Sequence, residues 1–117
     1  MVVDLLERGD EGCSQGYWKN HLNSWDLTGY DRQDMYNVVF NVPYYKSLLE
    51  ALESGGGGEN ALGRQAVAAL LNAAHPGIDY FYSKDEVIDM VQDAYDTGEF
   101  ERAKDLLEEH ISPCPLD

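Results

Sequence analysis

The sequence has no long hydrophobic run and few basic residues. No apolar stretch approaches the roughly 20 residues that a membrane-spanning helix needs, so we expect no membrane insertion. Lys and Arg number 8, whereas Asp and Glu number 22, which gives a formal net charge of −14. Because binding to nucleic acid or to an anionic membrane surface requires a basic face, neither is an expected partner.

The beginning of the chain also lacks the pattern of a signal peptide. In MVVDLLERGDEG, acidic residues stand where a signal peptide has basic ones, and the apolar stretch is too short. We therefore expect a cytosolic protein, a mature secreted form or an excised domain. Three interpretations of the acidity remain open: a solubilising surface, an adaptation to high salt, or carboxylates that converge on calcium.

Cysteine is scarce, and the two that occur lie near opposite ends of the chain, at Cys13 and Cys114. Two thiolates alone do not complete a tetrahedral zinc site. A disulfide between them would close a loop of about 100 residues, which the chain-entropy model values at about 4.7 kcal/mol. We favour this disulfide because each cysteine lies just outside the helical part, and it would imply an oxidising compartment. Two free thiols are the alternative.

The length of the chain predicts one domain. At 117 residues and 44% hydrophobic residues, it is long enough for one modest core. We expect residues 1–11 to be an N-terminal arm or linker and residues 12–117 to form a single helical domain.

Helical periodicity dominates the sequence and predicts an all-α fold. The stretch ENALGRQAVAALLNAAH is apolar over most of its circumference, so we expect a central helix that other helices surround. Ser83 and Glu86 form a capping box at the start of another helix, and Gly98 marks its end. Pro43 suits the first turn of a helix over YYKSLLEALES. EFERAKDLLEEHI predicts a last helix whose inward residues are Phe100, Ala103, Leu106, Leu107 and Ile111. The expected architecture is a compact bundle of five to six short helices around the Ala-rich helix, closed by one terminal disulfide.

The stretch GCSQGYWKNHLNSW concentrates aromatic residues near one end of the chain. Helical spacing places Trp18 and Trp25 on one stripe of a single predicted helix, with Tyr17 and His21 alongside. Ser14 can cap the start of this helix. We interpret the aromatic residues as packing against the small side chains of the central helix. The alternative is an exposed aromatic face that binds sugars or a partner chain.

Three patterns that resemble reactive sites are weak. His21, His75 and His110 would form a transition-metal site only if they met in space, which their spacing does not require. A nucleophilic Cys13 is incompatible with a disulfide at the same residue. The GGGG run before Glu59 lacks the Lys and Ser or Thr of a phosphate-binding loop.

Acidic turns are candidates for a calcium site, although the EF-hand loop pattern is absent. Oxygen-rich, non-standard loops could hold the ion in DLTGYDRQD or in DTGEFE. The alternative interpretation is an acidic turn, or the acidic first turn of a helix. The candidate ligands are Asp26, Asp31 and Asp34 in the first loop, and Asp96, Glu99 and Glu101 in the second.

The order of these motifs resembles a module of predicted secreted or cell-surface proteins of bacteria and archaea. The matching stretches are GCSQGYWKNHLNSW, GGGGENALGRQAVAALLNAAHP, YFYSKDEVIDMVQDAY and the terminal PCPL. The family opens on GCTPGYWKNH, so this chain departs in having Ser14 and Gln15 where Thr and Pro are usual. The resemblance covers nearly the whole chain from Gly12 onward. It implies an extracellular setting, a Cys13–Cys114 disulfide and a surface, adhesion or assembly role, but no activity.

Three functions from different classes follow. The first is a non-enzymatic extracellular structural or interaction module, for example a self-assembling cell-surface or filament subunit. Its expected partners are itself or neighbouring surface domains, with VPYY and DYFY as contact segments and VVDLL as an arm that docks on a neighbour. The second is a calcium-dependent binding domain, with a transition metal less favoured. The third is a small hydrolase.

Overall fold

The computed structural model describes residues 8–111 and 113–116, and in these residues every regular element is helical. This confirms the all-α prediction. No helix among the described residues is long and apolar enough to cross a membrane. The elements in chain order are α1 (Gln15–Asn20), a 3-10 helix (Leu22–Leu27), α2 (Tyr36–Phe40), α3 (Leu48–Glu53), α4 (Glu59–Ala74), α5 (Lys84–Thr97) and α6 (Phe100–Glu108).

Helix α4 is the centre of the bundle, as its sequence predicts. Eleven of its 16 residues are buried, and α1, α3, α5 and α6 all pack against it. Its alanines and one glycine permit this crowding because they let neighbouring elements come close. At Gly63, an added Cβ would lie 3.1 Å from the ring of Tyr44. A side chain at that position would require the ring of Tyr44 to shift.

One disulfide closes the fold by joining Cys13 to Cys114 across a sequence separation of 101 residues. The backbone N–H of Gly12 donates to the carbonyl of Pro113 at 2.8 Å beside it. The predicted disulfide is therefore confirmed. The disulfide and this hydrogen bond hold residues 12 and 13 against residues 113 and 114.

Part of the stretch that we assigned to an N-terminal arm lies against the bundle. The N–H of Glu11 donates to the carbonyl of Asp79 at 3.0 Å, and the Glu11 carboxylate accepts from the N–H of Asp79 at 2.8 Å. Gly9 is buried, and a Cβ there would collide with the backbone of Asp79. Residues 1–7, which carry VVDLL, lie outside the described residues.

The predicted ends of several helices are confirmed by their caps. Ser83 and Glu86 form the reciprocal capping box of α5, and Gly98 ends that helix with a left-handed φ of 79°. The hydroxyl of Ser14 accepts from the N–H of Tyr17 at 3.2 Å at the start of α1.

Two helix predictions are wrong in detail. The helix after Pro43 begins only at Leu48, because Ser47 and Glu50 form a second capping box there. The last helix ends at Glu108, and Leu106 is 37% exposed instead of facing inward.

The predicted single helix through the aromatic stretch is divided in two. α1 ends at Asn20, and the 3-10 helix follows it after His21. In a continuous helix the carbonyl of Trp18 would accept from the N–H of Leu22. In this structure the carbonyl of Trp18 instead accepts from Nε1 of Trp25 at 2.9 Å. The indole N–H thus replaces the backbone N–H that would continue the helix.

Candidate functional site

The two tryptophans of the opening stretch lie in the core. Trp18 is fully buried and Trp25 is 3% exposed. Nε1 of Trp18 donates to Oδ1 of Asn72 on α4 at 3.1 Å. Neither indole has a free face with which to stack on a sugar or on a partner chain.

Tyr17 and His21 form a smaller stack at the surface. Their rings lie 4.2 Å apart and nearly parallel, and Nδ1 of His21 lies 2.9 Å from the carbonyl oxygen of Tyr17. The other two histidines have different neighbours: His75 lies near Trp18, and His110 stacks on Phe81. Burial lowers the pKa of His75. The three histidines are therefore placed in separate environments.

The acidic turns use some of their carboxylates to hold backbone groups. Oδ2 of Asp34 accepts from the N–H of Asp31 at 2.8 Å, and Oδ1 of Asp31 accepts from the N–H of Gln33 at 2.8 Å. Oε2 of Glu101 accepts from the N–H of Gly58 at 2.8 Å, next to the start of α4.

The other three candidate ligands are exposed, and across residues 8–111 and 113–116 no group of three or more His, Cys, Asp or Glu is placed to hold a metal ion. Calcium binding remains a prediction. The exposed candidates are Asp26, Asp96 and Glu99.

One segment of this acidic protein carries no charge and exposes several apolar side chains. From Met35 to Tyr45 the sequence MYNVVFNVPYY contains no Asp, Glu, Lys or Arg. Its inward side chains, Tyr36, Phe40 and Tyr44, are buried in the core. Its outward apolar side chains form what we call the α2 surface: Met35 (39% exposed), Val38 (73%), Tyr45 (75%) and the exposed Pro43.

Backbone hydrogen bonds fix the base of the α2 surface. The N–H of Tyr36 donates to the carbonyl of Lys46 at 2.9 Å, and the N–H of Leu48 donates to the carbonyl of Asp34 at 2.9 Å. The amide of Gln92 on α5 donates to the carbonyl of Phe40 at 3.0 Å. These contacts hold both ends of the segment, so its outward side chains are presented on a fixed backbone.

A shallow depression adjoins the α2 surface and shares Pro43 and Tyr45 with it. Asn41 ends α2 in the left-handed conformation, with φ of 56°, and the chain changes direction there before Pro43. The depression has a volume of about 270 Å³, and its lining consists of Asn37, Asn41, Val42, Pro43 and Tyr45. It combines apolar side chains with two amides and has no charged group, which suits contact with another protein surface better than binding of an ion.

Sequence reasoning found only part of this surface. It identified VPYY as a contact segment, but Tyr44 is buried and only Tyr45 projects outward. In the second segment, DYFY, Tyr80 is buried as well. Val38 was missed, although one signal was present: a short helix with consecutive apolar residues, VVF, cannot bury all of them on one face.

A cluster of polar contacts joins Arg8 to the start of α5. The guanidinium of Arg8 donates to both carboxylate oxygens of Glu86, at 3.0 and 2.7 Å, and to the carbonyl of Phe81 at 2.7 Å. The hydrogen bond from Arg8 and the one from the Ser83 backbone lower the pKa of Glu86 to about 2. Phe81 also stacks on His110, with ring centroids 4.0 Å apart.

The Glu86 cluster is expected to make stability depend on pH below about 4.5. A carboxyl whose pKa is lowered by folding stabilises the folded state above its unfolded pKa, here 4.5, and loses this contribution as pH falls toward 2. We expect Glu86→Gln to lower the free energy of unfolding at pH 7 by about 1 kcal/mol, since both partners are partly exposed. It should also flatten the pH dependence between about 4.5 and 2.

Urea unfolding between pH 2 and pH 7 measures this effect, and Glu50→Gln is the matched control. Glu50 occupies the same capping-box position in α3, but its contacts there do not include an arginine. Equal losses in the two variants would show that the capping box alone, without Arg8, accounts for the contribution of Glu86.

Comparison with known proteins adds no assignment: no family model, no curated protein and no solved structure matches the chain.

Proposed function

We propose that the protein is a non-enzymatic extracellular interaction module that self-associates through its α2 surface. The observation that carries this proposal is the exposure of two large apolar residues, Val38 and Tyr45, on a segment without charge, in a chain with net charge −14. Interface cores are depleted of charged residues and enriched in tyrosine. Exposed apolar patches of this kind mark contact sites on soluble proteins.

The negative charge of the chain restricts where two copies can meet, and it favours contact through the α2 surface. Two copies at −14 repel each other wherever acidic faces meet. Contact through the α2 surfaces brings together uncharged side chains and leaves the acidic faces apart. Such a contact would be isologous, with the same patch on both copies, and would produce a dimer. A filament would need a further contact.

The disulfide supports the extracellular part of the proposal. Disulfides persist in oxidising compartments and are rare in the cytosol. Because the thiol of Cys13 is part of the disulfide, it does not serve as a nucleophile, which removes support from a thiol hydrolase.

Sedimentation equilibrium over a range of protein concentrations tests the proposal. We expect the wild-type chain to associate, and to associate more strongly as salt screens the repulsion between copies. Val38→Asp places a charge within the proposed contact and is expected to give a monomer. Leu27→Asp is the matched control, since Leu27 is 66% exposed but lies on the 3-10 helix, outside the α2 surface.

A wild-type chain that stays monomeric at every concentration and salt would contradict the proposal. So would equal loss of association in both variants, because that result would indicate a general effect of added charge. Circular dichroism of each variant confirms that the helices remain.

A further inference from the structure

His75 ends the central helix α4, and its side chain takes part in the turn that follows. The N–H of His75 donates to the carbonyl of Leu71 at 2.9 Å and closes the last helical turn. The N–H of Gly77 donates to Nδ1 of the imidazole at 2.9 Å, and the N–H of Ile78 donates to the carbonyl of His75 at 3.2 Å. We call residues 75–78 the His75 turn. One hydrogen bond of this turn thus needs an unprotonated Nδ1.

This hydrogen bond fixes the tautomer of His75. A neutral imidazole has a proton on one ring nitrogen and an acceptor lone pair on the other. Because Nδ1 accepts from Gly77, the proton of the neutral ring lies on Nε2. A second proton could bind only at Nδ1, where it would face the N–H of Gly77. Two donors cannot share this position, so protonation is incompatible with the His75 turn as it is formed here.

The His75 ring has neighbours on α1 and in the segment that follows α6. Its centroid lies 6.1 Å from that of Trp18, with the ring planes tilted by 51°. A Cβ added to Gly77 would lie 3.1 Å from Cε1 of His75 and 3.6 Å from Cδ2 of Leu116. His75 is 7% exposed, and Leu116 is partly buried against the core. The His75 turn is therefore part of the surface on which Leu116 packs.

The surroundings of the imidazole bring no charge to it. Residues 65–78 and 113–116 contain no Asp, Glu, Lys or Arg. The charged residues that adjoin its neighbours in sequence, Lys19 and Asp79, are exposed, and the Glu11 carboxylate accepts from the N–H of Asp79. Burial lowers the pKa of the imidazole, although the C-terminal end of α4 favours a positive charge. Among the described residues, protonation would thus place a charge on a buried ring that has no carboxylate beside it.

We infer that His75 is an acid-sensitive latch for residues 115 and 116. At neutral pH the uncharged ring accepts from Gly77 and supports Leu116. In acid the imidazolium leaves the turn for solvent, the hydrogen bond from Gly77 is lost, and Leu116 separates from the core. Residues 113 and 114 stay in place, because the disulfide and the backbone hydrogen bond beside it do not depend on pH in this range. Acid therefore uncovers an apolar side chain without unfolding the domain.

The pH window of the latch follows from the direction of the pKa shift. A histidine whose pKa is lowered by the fold stabilises the closed arrangement above the pKa of the released ring, here 6.5. This contribution decreases as pH falls below 6.5, and it is lost once pH falls through the lower pKa of the closed state. A titration that stops at pH 4.5 stays above the range in which the Glu86 cluster loses its contribution.

NMR of the oxidised chain between about pH 8 and pH 4.5 tests the inference. The shift of the Cε1 proton of His75 reports its titration, and a nuclear Overhauser cross-peak between the Leu116 methyls and the Gly77 Hα protons reports the closed latch. We expect His75 to titrate with a midpoint below 6.5, and the cross-peak to disappear with the same midpoint. The amide shift of Leu70, in the middle of α4, should change little.

His75→Asn separates the latch from a general effect of acid. The side-chain oxygen of asparagine can accept from the N–H two residues later, as Nδ1 does here, but it does not titrate in this range. The cross-peak between residues 116 and 77 should therefore persist to pH 4.5 in this variant. His110→Asn is the matched control, because His110 stacks on Phe81 outside the latch, and its loss should leave the transition in place.

The wild-type chain alone can overturn the inference, whether or not the variants fold. A His75 midpoint at or above 6.5 would show that the closed arrangement does not disfavour the charged ring. A cross-peak that is missing at pH 8, or that persists while His75 titrates, would show that the ring does not hold Leu116. In the variants, loss of the cross-peak with an unchanged midpoint in His75→Asn would assign the transition to another group.

Discussion

Removal of the Cys13–Cys114 disulfide is expected to lower the free energy of unfolding by about 3–5 kcal/mol. The two cysteines are 101 residues apart, so the disulfide restricts nearly the whole unfolded chain. In the chain-entropy view, this restriction destabilises the unfolded state and thus favours folding. Domains of this size have total stabilities of roughly 5–15 kcal/mol, so a reduced chain would be marginally stable.

Guanidinium unfolding with and without a thiol reductant measures this loss. The control is the double variant Cys13→Ala and Cys114→Ala, whose midpoint should be low and should not respond to reductant. Because Cys13 is fully buried, alanine is preferable to serine, which would introduce a hydroxyl into the core. A wild-type midpoint that stays the same on full reduction would refute the expectation.

The prediction from sequence succeeded where one local signal decided the structure. The α4 helix followed from a long apolar segment, and α5 followed from the Ser83–Glu86 capping box and Gly98. These signals act within a few residues, so they can be read without knowledge of the fold.

The sequence failed where distant or competing contacts decided the structure. The aromatic stretch forms two helices because the indole N–H of Trp25 donates to the carbonyl of Trp18. Helical periodicity does not predict this hydrogen bond. Pro43 and Ser47 both resemble helix starts, and the capping box that Ser47 forms with Glu50 decides for the second.

The same limit applies to the candidate site. VPYY indicated contact, but periodicity could not separate the buried Tyr44 from the exposed Tyr45 in a turn that is neither helix nor strand. Leu106 on α6 remains partly outside the core, whereas the helical pattern placed it inside. A surface becomes visible only when the neighbouring elements are in place.

Asn72 is expected to be the most sensitive polar residue of the core. It is fully buried on α4 and makes three hydrogen bonds. Its Oδ1 accepts from the N–H of Cys13 at 2.8 Å and from Nε1 of Trp18 at 3.1 Å, and its Nδ2 donates to the carbonyl of Cys13 at 2.9 Å. The side chain of Asn72 therefore joins both the backbone of Cys13 and the indole of Trp18 to the central helix α4.

We expect Asn72→Leu to lower the free energy of unfolding by about 3 kcal/mol or more. Leucine has a similar volume but leaves a donor and an acceptor of Cys13 and the indole N–H without partners, at about 1–3 kcal/mol for each buried group. Trp18→Phe is the matched comparison, because it removes the indole donor and leaves both bonds between Asn72 and Cys13. Its loss should be clearly smaller. Urea unfolding of the oxidised chains measures both.

The combination with disulfide removal separates the two roles of Asn72. If Asn72 acts only by holding Cys13 in place for the disulfide, its substitution should cost little in the chain with alanine at residues 13 and 114. We expect most of the loss to remain there, because the backbone groups of residue 13 and the indole of Trp18 stay buried without partners when the sulfur atoms are gone. A loss that disappears in that background would show that Asn72 serves the disulfide and not the core.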